Sequence, residues 1–180
     1  MKKILFFLTF SFIILNVNSQ NCEQLTFNTD SLFNDTIKFS EYDTHILECA
    51  NCILSKPLNN ISNNRMNCMI HIIKYMGNNH HVEFIDVYPR KILMGNSKKM
   101  VVFMATIVKN HIETKENPLS EKDFFIKVLA EFIQYCENPE KKVTRFNREM
   151  KKVVALKNSG ELSKYYEELL LKNKPHQKLE

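Results

Sequence analysis

The stretch that decides the fold reads Met100-Val101-Val102-Phe103-Met104-Ala105-Thr106-Ile107-Val108. Asn96 or Ser97 can cap a helix that begins just before it, and the helical pattern extends over residues 97–112. Several residues of the stretch are β-branched, so a buried strand is the alternative, but the length of the pattern favours a helix. A helix that is apolar nearly all round is normally buried on every side. We therefore expect a central helix that other helices surround.

Helical periodicity on both sides of this stretch predicts further helices. Before it, Ser40 is the N-cap signal of a helix that ends ahead of Pro57. A second helix is expected to bury the face that carries Met66, Met69, Ile70, Ile73 and Met76. This second helix spans residues 63–76, and the remaining predicted helices span residues 124–136, 139–158 and 161–172. Glycine is scarce, with 3 in the chain, which disfavours folds rich in sheets and turns.

These segments predict one domain of the all-α class. We expect residues 40–172 to form a compact bundle of five to seven helices, with one short extended segment near residues 80–88. The expected irregular N-terminal arm spans residues 20–39, and the expected frayed tail spans residues 173–180.

The N-terminus has the pattern of a secretory signal peptide. Lys2 and Lys3 precede an apolar run, and Val17 and Ser19 stand at the −3 and −1 positions of a cleavage site. We expect residues 1–19 to be removed and the protein to be exported, periplasmic or secreted. Lipid anchoring at Cys22 is the alternative to plain release. After cleavage no apolar run is long enough to span a membrane, so no transmembrane helix is expected.

The charge of the mature chain does not indicate a polyanion partner. Removing Lys2 and Lys3 lowers the formal net charge from +5 to +3, which is only mildly basic. No aromatic residues are interleaved with basic ones in the manner of a nucleic-acid binder. Export makes nucleic acid a still poorer candidate, and we expect no cofactor.

The cysteine pattern leaves several interpretations open. Cys49-x2-Cys52-x15-Cys68-x2-His71 resembles a structural zinc site by spacing. Helical geometry argues against it, because Cys68 and His71 project away from the apolar stripe of their own helix. We therefore expect no metal there. A Cys52–Cys68 disulfide is the alternative in an oxidising compartment, and buried unpaired thiols are the simplest interpretation.

Two further clusters have simple structural interpretations. His80-His81-x-Glu83-x2-Asp86 collects side chains that can bind metals, but neighbouring histidines on an extended segment point to opposite sides. We expect an exposed polar connection there. Lys141, Arg145, Arg148 and Lys152 form one stripe of the predicted helix 139–158. This stripe is a candidate basic interaction face for anionic lipid or an acidic protein, or else a solvated surface.

Three short motifs at predicted helix ends carry a resemblance to a family. They read Lys74-Tyr75-Met76-Gly77-Asn78, Tyr135-Cys136-Glu137-Asn138-Pro139 and Ser159-Gly160-Glu161-Leu162. With them, the stretch from about Ile46 to Tyr166 resembles a group of short exported helical proteins of Gram-negative bacteria with no assigned activity. The resemblance implies an all-helical exported domain and brings no catalytic residues with it.

The sequence contains no catalytic signature. No nucleophile stands beside a base, and no helical His-Glu-x2-His is present. We therefore expect a non-enzymatic module that binds a protein or an envelope component, with inhibitors and immunity-type proteins as examples. A metal- or thiol-dependent enzyme using Cys52, Cys68 and His71, and a carrier of a small molecule or lipid, are the alternatives.

Overall fold

The computed structural model describes residue 25 and residues 39–60, 62–78, 89–94 and 96–173, and all of its regular structure is helical. The α-helices in these ranges are α1 Phe39–Ser55, α2 Asn63–Asn78, α3 Arg90–Leu93, α4 Ser97–Glu113, α5 Glu121–Glu137, α6 Arg148–Asn158 and α7 Leu162–Asn173. The predicted all-α class is confirmed. The predicted extended segment at 80–88 and the signal peptide lie outside the described residues.

Helix α4 lies at the centre of the bundle, as its apolar sequence predicts. It packs against α1, α2, α3 and α5. Phe103 is fully buried, and its ring meets that of Phe132 on α5 edge to face, with the centroids 5.3 Å apart. Asn96 begins the helix because its side chain accepts a hydrogen bond from the backbone N–H of Lys99.

Helix α5 also begins where the sequence predicts. The Ser120 side chain accepts from the backbone N–H of Asp123, and its hydroxyl donates to the Asp123 carboxylate at 2.6 Å. The buried side of α5 contacts α4 and α7, so α5 joins the central helix to the C-terminal part of the bundle.

The predicted helix over residues 139–158 is wrong in its first half. A 3-10 turn at Pro139–Lys141 is followed by irregular chain, and α6 begins only at Arg148. Lys142 and Arg145 have positive φ angles of 52° and 66°, which an α-helix cannot include. Asn147 then caps α6, since its side chain accepts from the backbone N–H of Met150 at 2.7 Å.

Helix α2 buries a different face from the predicted one. Met66, Ile70 and Ile73 expose between 40% and 46% of their surface. The buried side carries Cys68, His71, Ile72 and Tyr75 instead, together with Met76 from the predicted stripe. The two sides exchange roles because α1 offers cysteine, histidine and tyrosine partners along its contact with α2. This contact holds the candidate site. None of the helices in the described residues has the length and apolar character that a membrane crossing needs.

Candidate metal centre between α1 and α2

The contact between α1 and α2 pairs like residues with like. Cys49 hydrogen-bonds to Cys68, the ring of His45 lies 5.0 Å from that of His71, and Tyr42 lies 5.5 Å from Tyr75. The numbers fall along α1 as they rise along α2, so the helices run antiparallel. Three layers result, of thiols, imidazoles and phenol rings.

Helical spacing brings the thiol and imidazole layers together. His45 and Cys49 are four residues apart on α1, and Cys68 and His71 are three apart on α2. Residues at these separations are neighbours on one face of a helix. Each helix therefore contributes one sulfur and one imidazole to the same side, and the packing of the two helices faces the pairs toward each other.

The donor atoms lie within reach of a single ion. His45 Nε2 is 3.0 Å from His71 Nδ1 and 3.8 Å from Cys49 Sγ. One ligand atom from each of these three residues lies within 4.8 Å of the others. The Cys68 thiol interacts with Cys49 at the edge of this group of three.

Two of the separations are close to those of a tetrahedral site. Zinc–sulfur bonds of about 2.3 Å and zinc–nitrogen bonds of about 2.0–2.1 Å place neighbouring donors roughly 3.3–3.8 Å apart. The two measured distances, 3.0 Å and 3.8 Å, fall within a few tenths of an ångström of this range. Two sulfurs and two imidazoles form a donor set that suits Zn²⁺ or Cu⁺, whereas Mg²⁺ and Ca²⁺ prefer oxygen.

The cluster is largely buried, and burial favours the neutral forms of His45, His71 and Cys49. Cys49 and Cys68 are fully buried and His71 is 3% exposed, whereas His45 is only partly buried. Burial, with His45 and Lys74 nearby, lowers the pKa of His71 to about 4, and burial also lowers the pKa of His45. The hydrogen bond to Cys68 and burial raise the pKa of the Cys49 thiol. Without an ion, these groups therefore place no charge in the interior.

The phenol layer anchors one end of the cluster. The Tyr75 hydroxyl donates to Asp43 Oδ1 at 2.7 Å, and Lys115 Nζ donates to Asp43 Oδ2 at 2.7 Å. Asp43 is 8% exposed, so its carboxylate is both buried and satisfied. These bonds connect α1 to α2 and to the residues that follow α4. They fix the register of the contact between α1 and α2.

The structure corrects the predicted cysteine pairing. Cys68 is a free thiol and faces Cys49, whereas Cys52 is disulfide-bonded. The Cys52–Cys68 bridge is therefore not formed, because the antiparallel register places Cys49 rather than Cys52 opposite Cys68. Cys49 and Cys136 are the other free thiols among the described cysteines, and burial raises the pKa of Cys136 to about 12.

The rejected zinc pattern contains most of the observed cluster. Cys49 comes together with His71 and interacts with Cys68, against the expectation that their side chains diverge. The further donor is His45, which lies outside the Cys49-x2-Cys52-x15-Cys68-x2-His71 pattern. The sequence indicates this donor by the spacing His45-x3-Cys49, because Cys68-x2-His71 on the next helix also places one cysteine and one histidine about one turn apart.

The four basic residues do not share one helix face. Lys141 lies in the 3-10 turn, where its Nζ donates to the Ser55 carbonyl at 2.5 Å, and Arg145 lies in the irregular segment. Only Arg148 and Lys152 belong to α6, and Lys152 pairs with Glu168 of α7 at 2.5 Å. His80, His81, Glu83, Asp86 and Cys22 lie outside the described residues.

No protein-family model, curated protein or solved structure matches this chain. The resemblance to exported helical proteins therefore stays a prediction, and the function has to be inferred from the chemistry of the site.

Proposed function

We propose that this is an exported, non-enzymatic helical protein that binds one transition-metal ion, Zn²⁺ or Cu⁺. The ligands are His45 Nε2, Cys49 Sγ, Cys68 Sγ and His71 Nδ1. The observation that carries the proposal is the convergence of three donor atoms within 4.8 Å, with the Cys68 thiol hydrogen-bonded beside them.

The number of donors favours binding over catalysis. A catalytic zinc site keeps one coordination position open for water or substrate, whereas four protein ligands close the tetrahedron. The cluster supplies three donors within 4.8 Å of one another, and the neighbouring Cys68 thiol is the proposed fourth ligand. This supports metal holding or delivery in place of the metal-dependent enzyme that the sequence leaves as an alternative.

Two observations support export. The N-terminal residues have the charged, apolar and small-residue regions of a signal peptide. Cys52 is disulfide-bonded, and disulfides persist in oxidising compartments such as the periplasm and the extracellular space. A thiol pair such as Cys49 and Cys68 needs protection there, and a bound ion provides it by holding both sulfurs.

Titration with Co²⁺ tests the metal site, since Co²⁺ replaces Zn²⁺ and has a visible spectrum. We expect one Co²⁺ per chain, with ligand-field bands of tetrahedral coordination and a sulfur-to-metal charge-transfer band, and displacement by Zn²⁺. Loss of a contact outside the ligand set typically costs about 10–100-fold in metal affinity, so Cys49→Ser, Cys68→Ser or His71→Ala should cost at least that much.

The matched controls are Cys136→Ser and His111→Ala. Each removes a metal-capable side chain of the same type outside the cluster, and neither should change the stoichiometry or the spectrum. The proposal is wrong if the folded wild-type protein binds no Co²⁺ or Zn²⁺, or if Cys68→Ser retains wild-type affinity.

A further inference from the structure

A groove separate from the metal donors lies between the first turns of α2, the first turns of α4 and the loop after α1. Its volume is about 290 Å³. Ligand pockets generally range from about 300 to 1,000 Å³, so this groove suits a narrow ligand.

The apolar part of the groove continues along a helix. Leu58, Met66, Met69 and Val101 line it. Beyond the groove, Ile70 and Ile73 extend the apolar surface of α2, and they are 40% and 46% exposed. Residues three and four apart form a continuous ridge on a helix, so the surface is a linear track.

The polar part of the groove carries positive charge. Arg65 and Lys98 line it together with Asn60, Ser62 and Ser97, and the described part of this lining includes no carboxylate. Both α2 and α4 begin here, at Asn63 and Ser97, and helix N-termini carry partial positive charge. The groove therefore combines an apolar floor with a cationic end.

Within the described residues, the hydrogen bonds of the Arg65 side chain go to neutral oxygens. Arg65 is 7% exposed, and its Nη1 donates to the carbonyls of Pro57 and Asn60, the latter at 2.9 Å. Arg65 also interacts with the Tyr135 hydroxyl. Burial lowers the pKa of Lys141, and Arg65 and Lys56 lower it further while Glu140 opposes them. Positive potential thus extends through this corner of the protein.

We propose that the groove binds a fatty acid, with the carboxylate at Arg65 and Lys98 and the acyl chain along Leu58, Met66, Met69 and Val101. The charge selects an anionic headgroup, and the small volume selects one acyl chain over the two of a phospholipid. This activity is independent of the metal site, because the groove shares no residue with the four donors.

Isothermal titration of the purified full chain with laurate, below its micellar concentration, tests the proposal. We expect one laurate per chain, and dodecanol, which has the same chain length and no charge, should bind at least about tenfold more weakly. Lys98→Glu reverses the charge and Met66→Glu places a carboxylate on the apolar floor. Each should weaken laurate binding at least about tenfold, and both side chains are exposed, so folding is preserved.

The control is Lys151→Glu, which makes the same charge change at an exposed position of α6. It should leave laurate binding unchanged, and so should Cys68→Ser, which separates this inference from the metal proposal. Absence of laurate binding to the wild-type protein, or equal binding of laurate and dodecanol, overturns the inference. A Lys98→Glu variant that binds laurate with wild-type affinity also overturns the inference.

Discussion

Asp43 helps to fix the register of the contact between α1 and α2. Its buried carboxylate accepts from the Tyr75 hydroxyl and from Lys115 Nζ. These two contacts contribute differently to the free energy of unfolding, because Tyr75 is 2% exposed whereas the Lys115 side chain is 55% exposed. A buried hydroxyl that loses its partner is costly, while an exposed ammonium group regains water.

We therefore expect Asp43→Ala to lower the free energy of unfolding by about 1–3 kcal/mol, since it removes the buried acceptor to which the Tyr75 hydroxyl donates. Lys115→Ala should cost less than about 1 kcal/mol, in the range of exposed ion pairs. Urea unfolding followed by circular dichroism measures both. Equal costs for the two variants would contradict this ranking.

The cysteines differ in chemical state, and labelling can separate them. Cys49, Cys68 and Cys136 are buried free thiols, and the raised pKa values of Cys49 and Cys136 keep these two protonated at pH 8. Iodoacetamide at pH 8 should therefore leave all three unmodified in the native, metal-free protein and modify all three in urea. Rapid native labelling of Cys136 would contradict the buried environment.

Peptide mapping without reductant identifies the partner of Cys52. Because Cys49, Cys68 and Cys136 are free, Cys22 is the one cysteine of the sequence left for it. We expect a peptide that links Cys52 to Cys22. A lipid on Cys22 would occupy the same sulfur, so this peptide would also exclude lipid anchoring.

At the scale of the helix, capping signals predicted the starts of α4 and α5, whereas Ser40, the predicted N-cap of α1, lies inside that helix, which begins at Phe39. Burial was predicted poorly. Asn96 and Ser120 begin α4 and α5 because each cap bond forms within one turn and depends only on neighbouring residues. The buried face of α2 depends on α1, which supplies partners for Cys68, His71 and Tyr75. A hydrophobic pattern counts such side chains as polar, so the sequence of α2 alone favours the Met66–Ile73 face.

The start of α6 tests the role of a single cap. Asn147 accepts from the Met150 backbone N–H, and its Nδ2 donates to the Lys91 carbonyl at 2.8 Å. Asn147→Ala should cost about 1–2 kcal/mol of unfolding free energy. Asn147→Asp keeps the cap acceptor but loses the bond to Lys91, so it should cost less. Chemical denaturation compares the stabilities of the two variants. If the Asp variant is as unstable as the Ala variant, the loss of stability comes from the hydrogen bond to the Lys91 carbonyl and not from the cap.

At the scale of the whole molecule, the central position of α4 could be predicted and the site could not. The apolar sequence of α4 requires helices around it, which is enough for an all-α bundle. The metal donors come from two helices whose register is set by Tyr75, Asp43 and packing. Spacing alone therefore suggested Cys52 as a ligand, whereas the structure brings His45 into that position.

A metal ion should stabilise the whole bundle if the site is formed in the native state. At a free Zn²⁺ concentration of 100 times the dissociation constant, binding adds about 2.7 kcal/mol, provided the unfolded chain does not bind. For a chain of this size this corresponds to a rise in Tm of roughly 5–10 °C. Differential scanning calorimetry should show the rise for wild type and Cys136→Ser, its reversal by a chelator, and no rise for Cys68→Ser.

The donor set is local in the chain, since His45 and His71 are only 26 residues apart. Closing a loop of this size costs little more entropy than closing one half as long. An ion that binds the donors therefore reduces the cost of pairing α1 with α2 before α4 has to be in place. For a chain that crosses a membrane unfolded, the metal supply on the far side would then influence how fast the protein folds as well as how stable it is.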